Sequence, residues 1–218
     1  MHFSFSYAAK CGGPVNSPPM PFHSFTPDRE GWKTVADEVA FANPYVEVHA
    51  VKVTSPTRPE PFPWTVCHRK AAVVVAAQTE DGKFLLVRQE RVPIRATIWE
   101  FPAGQIDEAT EHDEKAIHST GLRELREESG YELAPGGEIV PLGHFFPSAG
   151  FTDEHSHLLF VRPAVVRPRG QQLDENEAIT EARAFTLDEI RSMIASGEIC
   201  DANTLAAFAR LTAMRIIQ

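Results

Sequence analysis

The longest uninterrupted apolar run in the chain is Ala71–Ala77, which carries three consecutive valines at its centre. A membrane-spanning helix needs roughly 18 to 20 apolar residues, so this run is too short to cross a bilayer. Its length and β-branched centre are typical of a buried strand. The Asp81-Gly82 pair and the apolar segment that follows it predict a tight hairpin of two buried strands.

Size and charge narrow the class of protein. With 218 residues, of which 43% are hydrophobic, the chain can form one compact domain with an appendage, or at most two small domains. The net charge is −9 and there is no basic stripe, which argues against DNA or RNA as a partner. An anionic substrate would therefore need a cationic group to bring it in.

The N-terminus and the cysteines concern the cellular compartment. The first nine residues carry no basic segment, so we expect neither export nor a membrane partner and predict a cytoplasmic protein. Cys11, Cys67 and Cys200 are odd in number and widely scattered, which predicts reduced thiols rather than disulfides or a CxxC metal site.

Three regions are predicted along the chain. Residues 1–30 form a proline-rich arm for which we predict no regular structure. The arm is either poorly ordered or lies over a partner surface. Residues 31–63 hold one or two strands, interrupted at Asn43-Pro44, and then a stiff connection with four prolines between Ser55 and Pro63. Residues 64–218 form the main domain.

Further elements follow from caps and periodicity. The chain interleaves runs of strand with a few helices, which predicts an α/β (α+β) sandwich of a mixed sheet with flanking helices. The elements predicted after the hairpin are a helix over 114–129 stopping at Gly130, strands over 139–146 and 157–166, a helix opened by the capping box Thr186/Glu189 and ending near Gly197, and a last helix capped by Asp201 or Asn203 and reaching Ile217.

Acidic residues concentrate on the helix before Gly130. Arg123, Glu124, Glu127 and Glu128 stand at positions i, i+1, i+4 and i+5, so the three carboxylates lie within about one turn and repel one another, and a single arginine can brace only one of them. Hard oxygen ligands at this density favour Mg²⁺ or Mn²⁺ over zinc, and such a site suits a phosphate substrate. The alternative is a solvated amphipathic face, although the preceding Pro-Ala-Gly turn could add a backbone carbonyl ligand.

This region resembles the signature of the Nudix hydrolases, which is Gly, five residues, Glu, seven residues, then Arg-Glu-aliphatic-x-Glu-Glu-x-Gly-aliphatic. Gly104 matches the opening and Arg123–Tyr131 match the close. The distance from Gly104 to Arg123 is 19 residues, whereas the signature has 14, and Thr110 stands at the place of the first Glu, beside Glu111. We interpret the difference as a five-residue insertion before the helix.

Segments outside the signature are similar to the ADP-ribose pyrophosphatase branch of that superfamily, over roughly residues 41–208. The resemblance implies a Nudix-type α/β/α sandwich, a homodimer with residues 31–63 as dimerisation element, and Mg²⁺, replaceable by Mn²⁺, as cofactor. It implies these site residues: Ala103 through its carbonyl, Glu124, Glu128, Glu127 and Glu177 as metal ligands; Arg123 as the residue that orients a helix carboxylate; and Arg91, Gly104, Ser148 and Gly150 as substrate-binding residues.

The general base is left among several carboxylates by the same resemblance. It lies outside the helix on a late loop, where Asp174, Glu175 and Glu177 are available, and Glu154 is available on the PSAGFTDE loop. Glu175 is the preferred base, Glu177 an auxiliary ligand and Glu154 a catalytic-loop residue near the pyrophosphate. Ala149 replaces a proline that is usual in this loop.

Two further residue groups have plainer interpretations. The pair His155 and His157 is more typical of a surface strand edge than of a metal site. Trp32, Trp64 and Trp99 could stack on an adenine, but core or interface packing is the more common role of such residues.

The expected activity is metal-dependent hydrolysis of a pyrophosphate bond, with ADP-ribose giving AMP and ribose 5-phosphate. The alternatives are the same chemistry on GDP-mannose or another nucleoside-diphosphate sugar, and a catalytically silent Nudix module that binds a ligand. The silent module would require lost ligands, whereas Glu124, Glu127 and Glu128 are all present.

Overall fold

The structure, a computed structural model, describes residues 28–106, 113–173 and 178–218. Its first unit is a three-stranded antiparallel sheet in the order β1-β2-β3, formed by β1 (Lys33–Asn43), β2 (Val46–Ser55) and β3 (Arg58–His68). The predicted interruption at Asn43-Pro44 is the turn between β1 and β2. There the Asn43 side chain accepts hydrogen bonds from the backbone N–H groups of Tyr45 and Val46, at 2.8 and 2.9 Å.

The proline-rich segment is a strand, so its prediction as a stiff connection was wrong. β3 contains Pro59, Pro61 and Pro63 and still pairs with β2, for instance through Phe62 opposite Val53. A spacing of two places all three ring nitrogens along the same edge of the strand. β3 is an edge strand of this sheet, and among the described residues its proline-containing part pairs with β2 alone, so the missing N–H donors can face away from the ladder.

The second sheet is larger and mixed. Its main path runs β10-β5-β4-β9-β8, with β6 paired to β5 and β7 paired to β4. The β4–β9 pair is parallel and the other pairs are antiparallel. The strands are β4 (Ala72–Thr79), β5 (Phe84–Arg91), β6 (Ala96–Glu100), β7 (Ala103–Gln105), β8 (Tyr131–Phe145), β9 (Ser156–Val166) and β10 (Ile179–Phe185).

The hairpin around Asp81-Gly82 is confirmed as β4 and β5. β4 is central, and both of its faces are buried. Val73 and Val75 belong to one core cluster, and Val74 and Ala76 belong to the other. A strand covered on both faces needs no polar alternation, which explains the continuous apolar run.

Helices cover both faces of the mixed sheet. α1 (Glu114–Glu124) packs with the first cluster, while α2 (Leu187–Ser196) and α3 (Ala202–Ala213) pack with the second, which also contains Phe84 and Phe160. The predicted α/β/α sandwich is therefore confirmed. No helix in the described ranges is long and apolar enough to cross a membrane.

Helix ends follow the predicted caps closely. The capping box of Thr186 and Glu189 opens α2, Gly197 closes it at φ 80°, and Asp201 caps α3. The last helix stops at Ala213, short of the predicted Ile217, because the backbone N–H groups of Ile216 and Ile217 turn back to the Leu211 carbonyl.

Two strands differ from the prediction. β8 begins at Tyr131 rather than near residue 139 and has a register shift between Leu133 and Glu138, where two glycines lie. β10 has no counterpart in the sequence-based description. Its alternation is weak, and its pairing with β5 brings it into the sheet.

Candidate active site

The acidic helix is held tightly against the sheet by a glycine. A Cβ built on Gly121 would lie 2.8 Å from Leu159 Cδ1 and 3.0 Å from Val73 Cγ1, closer than normal van der Waals contact. Only a residue without a side chain lets α1 approach β4 and β9 this closely. The last turn of the helix is thereby brought next to the sheet.

That last turn is π-helical over Leu125–Ser129, and Gly130 closes it at φ 73°. The Ser129 hydroxyl donates to the Leu125 carbonyl at 2.5 Å. A π-helical turn holds more residues than an α-helical turn and is frequent at functional sites. Glu124, the last residue of α1, and Glu128, in the π-helical turn, are 3% and 2% exposed, so the alternative of a solvated acidic face is wrong. We call residues 124–128 the acidic turn.

Arg123 braces two of the three carboxylates, where the sequence predicted one. Its guanidinium lies 2.6 Å from Glu124 Oε1 and donates a 2.8 Å hydrogen bond to Glu127 Oε2. Glu127 is partly exposed, whereas Glu124 is buried. One positive charge thus faces three negative charges on this turn, with Glu128 completing the set.

Strand β7 approaches the acidic turn from the sheet. The backbone N–H of Ala103 donates a 2.8 Å hydrogen bond to Glu128 Oε2. A Cβ on Gly104 would overlap the Glu124 side chain, with Cγ at 2.6 Å and the carboxylate closer still. Six residues singled out in the sequence are therefore brought together: Ala103, Gly104, Arg123, Glu124, Glu127 and Glu128.

The donor set at this turn fits a hard divalent cation. Glu124 and Glu128 are buried one helical turn apart and lie next to strand β7. Such ions prefer carboxylate and carbonyl oxygens as ligands. In the described ranges no three His, Cys, Asp or Glu side chains converge as a complete ligand cluster. Glu124 and Glu127 both contact Arg123, so the groups that could hold an ion here are Glu124, Glu127, Glu128 and the Ala103 carbonyl.

Arg91 lies beside this turn and is held by a residue that the sequence reasoning missed. Its Nε donates a 2.8 Å hydrogen bond to Glu100 Oε1, and its terminal nitrogen bonds the other oxygen of the same carboxylate. Glu100 is 1% exposed, and burial raises the pKa of its carboxyl group although Arg91 opposes that shift. The hydrogen bond and charge of Glu100, and more weakly the charges of Asp201 and Glu128, raise the pKa of Arg91. Strand β5, which carries Arg91, contacts the π-helical turn.

The loop between β8 and β9, residues 146–155, carries three predicted site residues. Glu154 Oε2 accepts a 3.0 Å hydrogen bond from Arg69. Burial raises the pKa of Glu154, while Arg69 and, more weakly, Arg91 lower it. The Ser148 carbonyl accepts the loop's own backbone hydrogen bonds, and the Gly150 carbonyl accepts one from the Trp64 indole at 3.3 Å.

Glu175 and Glu177, with Asp174, lie outside the described residues, as do Thr110, Glu111 and most of the inferred insertion. The described neighbours of residues 174–177 do contact the site. The backbone N–H of Gln172 donates to the Glu127 carbonyl at 2.9 Å, and the N–H of Glu90 donates to the Ala178 carbonyl at 2.9 Å.

The structure also shows where the two histidines and the three tryptophans singled out in the sequence lie. His155 is buried, with its ring 5.2 Å from that of His157, so the expectation of a surface pair was wrong. His157 is on β9, which lies inside the mixed sheet rather than at its edge, and His155 directly precedes that strand. Trp99 packs in the core, as expected for such residues, whereas Trp32 and Trp64 are 51% and 49% exposed.

The sandwich and its buried acidic turn are typical of hydrolases that act on phosphate compounds with a carboxylate-bound divalent metal. Comparison with known proteins identifies the family. The NUDIX domain model matches residues 68–208. The chain therefore belongs to the NUDIX family and is a Nudix pyrophosphohydrolase, a class that generally uses a divalent metal.

Individual relatives agree with that assignment. The chain is 32% identical to the ADP-ribose pyrophosphatase of Bacillus subtilis (strain 168) over 186 residues, covering 85% of this chain and 95% of the relative. It is also 32% identical to the methanol dehydrogenase activator of Bacillus methanolicus over 175 residues, covering 80% and 89%. The crystal structure of an ADP compounds hydrolase has the same fold, with a TM-score of 0.69 at 14% identity over 87% of this chain and 96% of that one.

The residues that sequence reasoning missed share one property. Glu100, Arg69, His68 and Asp153 act through partners that are remote in the chain, such as the 2.6 Å contact between His68 Nδ1 and Asp153 Oδ2. A signal was present for Glu100, which stands in the strand directly before the Pro-Ala-Gly turn. No spacing rule points to the other three.

Proposed function

We propose that this protein hydrolyses the pyrophosphate bond of ADP-ribose with Mg²⁺, giving AMP and ribose 5-phosphate, and that Mn²⁺ can replace Mg²⁺. One water molecule is consumed, its hydroxyl going to one phosphorus as the bridging P–O bond breaks. The other phosphate keeps the bridging oxygen, and the general base receives the remaining proton.

The observation that carries this proposal is the pair of buried carboxylates, Glu124 and Glu128, on a turn that also contacts β7. Three carboxylates share this part of the helix with one arginine, and their mutual repulsion favours binding of a divalent cation. The similarity to an ADP-ribose pyrophosphatase along nearly its whole length supports the substrate. Triphosphates and GDP-mannose remain the competing substrates for the assay.

The residues of the chain have distinct roles in this proposal. Glu124, Glu128 and the Ala103 carbonyl hold the metal, with Glu127 and Glu177 as additional ligands. When bound, the metal neutralises the pyrophosphate and lowers the pKa of water. The remaining roles are borne by residues around that centre.

Arg123 keeps the helix carboxylates oriented, as its contacts with Glu124 and Glu127 suggest. Arg91 binds the pyrophosphate, and the β8–β9 loop contacts substrate through Ser148 and Gly150. Gly104 leaves room for Glu124.

Glu175 is the proposed general base, removing a proton from the attacking water. Glu154, on the β8–β9 loop, lies near the pyrophosphate and is the alternative base. Its raised pKa suits a group that accepts a proton. Comparing Glu175→Gln with Glu154→Gln separates the two, because the variant lacking the base should lose most of kcat.

The test is a substrate panel of nucleoside-diphosphate sugars, dinucleotides and nucleoside triphosphates, assayed with Mg²⁺, with Mn²⁺ and with EDTA. We expect ADP-ribose to give the highest kcat/KM, and activity to vanish in EDTA and return with either metal. Turnover without metal, or a strong preference for triphosphates, would contradict the proposal.

Glu128→Gln adds a residue-level test. The amide oxygen of Gln can still accept the N–H of Ala103, so folding should be nearly unaffected. The charge at the metal is lost, and kcat should fall by orders of magnitude, roughly 10²-fold or more. A variant with nearly normal kcat would remove Glu128 from the site.

We also propose that the protein is a homodimer formed through β1 to β3. Val35, Val39 and Phe41 on β1 are 49%, 55% and 54% exposed, and a thin sheet with this many exposed large apolar side chains favours a protein interface. Sedimentation equilibrium should give twice the mass of one chain, and a monomer at micromolar concentration would refute this.

A further inference from the structure

The three-stranded sheet contacts the candidate active site through the β8–β9 loop. The end of β3 makes two bonds to the loop backbone: Trp64 Nε1 to the Gly150 carbonyl at 3.3 Å, and the Cys67 N–H to the Phe151 carbonyl at 2.7 Å. Cys67 and Thr152 also form a parallel bridge. The loop is therefore attached to a strand of the other sheet.

Side chains reinforce this attachment next to Glu154. His68 Nδ1 lies 2.6 Å from Asp153 Oδ2, and the two side chains are 11% and 9% exposed. The backbone N–H of Arg69 contacts the second oxygen of Asp153 at 3.4 Å, and the Arg69 side chain bonds Glu154 at 3.0 Å. Asp153 thus joins the strand at the position immediately before a predicted catalytic carboxylate.

The contacts continue across the small sheet. The rings of His68 and His49 meet edge to face with centroids 4.6 Å apart. His49 on β2 is 2.5 Å from Asp37 on β1. Asp37, His49, His68 and Asp153 therefore form a carboxylate–imidazole chain that crosses all three strands and ends on the β8–β9 loop.

We propose that this carboxylate–imidazole chain positions the β8–β9 loop for substrate binding, with His68 and Asp153 as its positioning residues. The inference rests on the proposed function, because it takes Glu154 and Gly150 to lie against the substrate. Low exposure of the His68–Asp153 pair makes it a rigid connection, since hydrogen bonds between ionisable groups strengthen away from water. The small sheet then serves substrate affinity as well as assembly.

The central variant is Asp153→Asn, which keeps the size of the side chain but removes its charge. The assay is steady-state hydrolysis of ADP-ribose at saturating Mg²⁺. KM should rise about tenfold while kcat changes by less than about threefold, because the loop contacts substrate and the proposed general base, Glu175, is not part of it. Asp188→Asn is the matched control: Asp188 is an exposed residue of α2 that pairs with Arg191, and its loss should leave both constants unchanged.

A second readout needs no substrate. Phe151 is 55% exposed and is a chymotrypsin site, so loosening of the loop should speed cleavage after it. We expect Asp153→Asn to be cut there several times faster than the wild type and Asp188→Asn to be cut at the wild-type rate. If Asp153→Asn does not fold, Trp64→Phe, which removes only the indole donor of a half-exposed side chain, replaces it with a smaller expected effect of the same sign.

The outcomes distinguish a failure of the proposed function from a failure of the positioning role. An inactive wild type whose Asp153→Asn variant is still cleaved faster would refute the proposed function and leave the loop attachment standing. An active wild type with unchanged KM in a folded Asp153→Asn variant would overturn the positioning role. A lowered melting temperature with normal KM and normal cleavage would likewise overturn it, because that result describes a purely structural pair.

Discussion

Replacing Gly104 by alanine should remove activity through one steric contact. The new Cβ would lie 2.6 Å from Glu124 Cγ and closer still to the carboxylate, where ordinary contact begins at 3.4 Å. The carboxylate must therefore move by more than about 1 Å, and a displacement of that size can lower a rate about 10²-fold. We expect kcat/KM to fall by roughly that factor.

Stability should change much less than activity in this variant. The contact between Arg123 and Glu124 is disturbed, but Arg123 is 37% exposed, which reduces the cost to about 1 kcal/mol. A loss of that size lowers Tm by about 2 to 4 °C in a chain of this length. Calorimetry and steady-state kinetics on the same preparation measure the two effects.

Gly121→Ala is the matched control, since it makes the same substitution where α1 meets the sheet and the new Cβ meets only apolar side chains. Its Cβ meets Leu159, Val73 and Val75 at 2.8 to 3.1 Å, so it forces α1 away from the sheet. Overpacking of this kind costs about 1 to 3 kcal/mol. We expect Gly121→Ala to lose more stability and less activity than Gly104→Ala; the reverse order, or nearly normal kcat/KM in Gly104→Ala, would refute the steric reasoning.

Three other predictions concern separate parts of the molecule. Glu100→Gln should raise KM and lower the free energy of unfolding by roughly 1 to 3 kcal/mol. This loss is smaller than that for a fully buried ion pair, because Arg91 is 39% exposed. In an Arg91→Met background the substitution should have little further effect on KM. Burial by itself would lower the pKa of His49, but hydrogen bonds to two carboxylates raise this pKa above 6.5. Protonation of His49 therefore stabilises the fold at pH 6, and this contribution is lost as the pH rises through the raised pKa. Denaturant titrations from pH 6 to 9 should show that decline in the wild type and a flatter profile in His49→Gln. Thr186→Ala should cost about 1 kcal/mol in the same titrations and leave kcat/KM intact, because it removes only the cap of α2.

Local patterns were sufficient where the deciding interaction is close in sequence. The hairpin at Asp81-Gly82 and the capping box at Thr186 depend on residues within a few positions of one another, and both are present as predicted. Prolines misled the same reasoning at β3. Proline discourages a central strand, but the position of β3 at the edge of its sheet is a property of the assembled sheet.

Spacing along one helix, by itself, determined that three carboxylates and an arginine share a turn ahead of Gly130, because helical geometry relates neighbours regardless of the rest of the chain. Only the tertiary structure decided that Glu124 and Glu128 are buried, that Glu100 holds Arg91, and that β3 carries the loop of Glu154. The last two contacts join residues 9 positions apart, for Arg91 with Glu100, and up to 86 positions apart, for Trp64 with Gly150. The physical reason is that burial and ion pairing depend on which surfaces the folded sheets bring together, which no local period specifies.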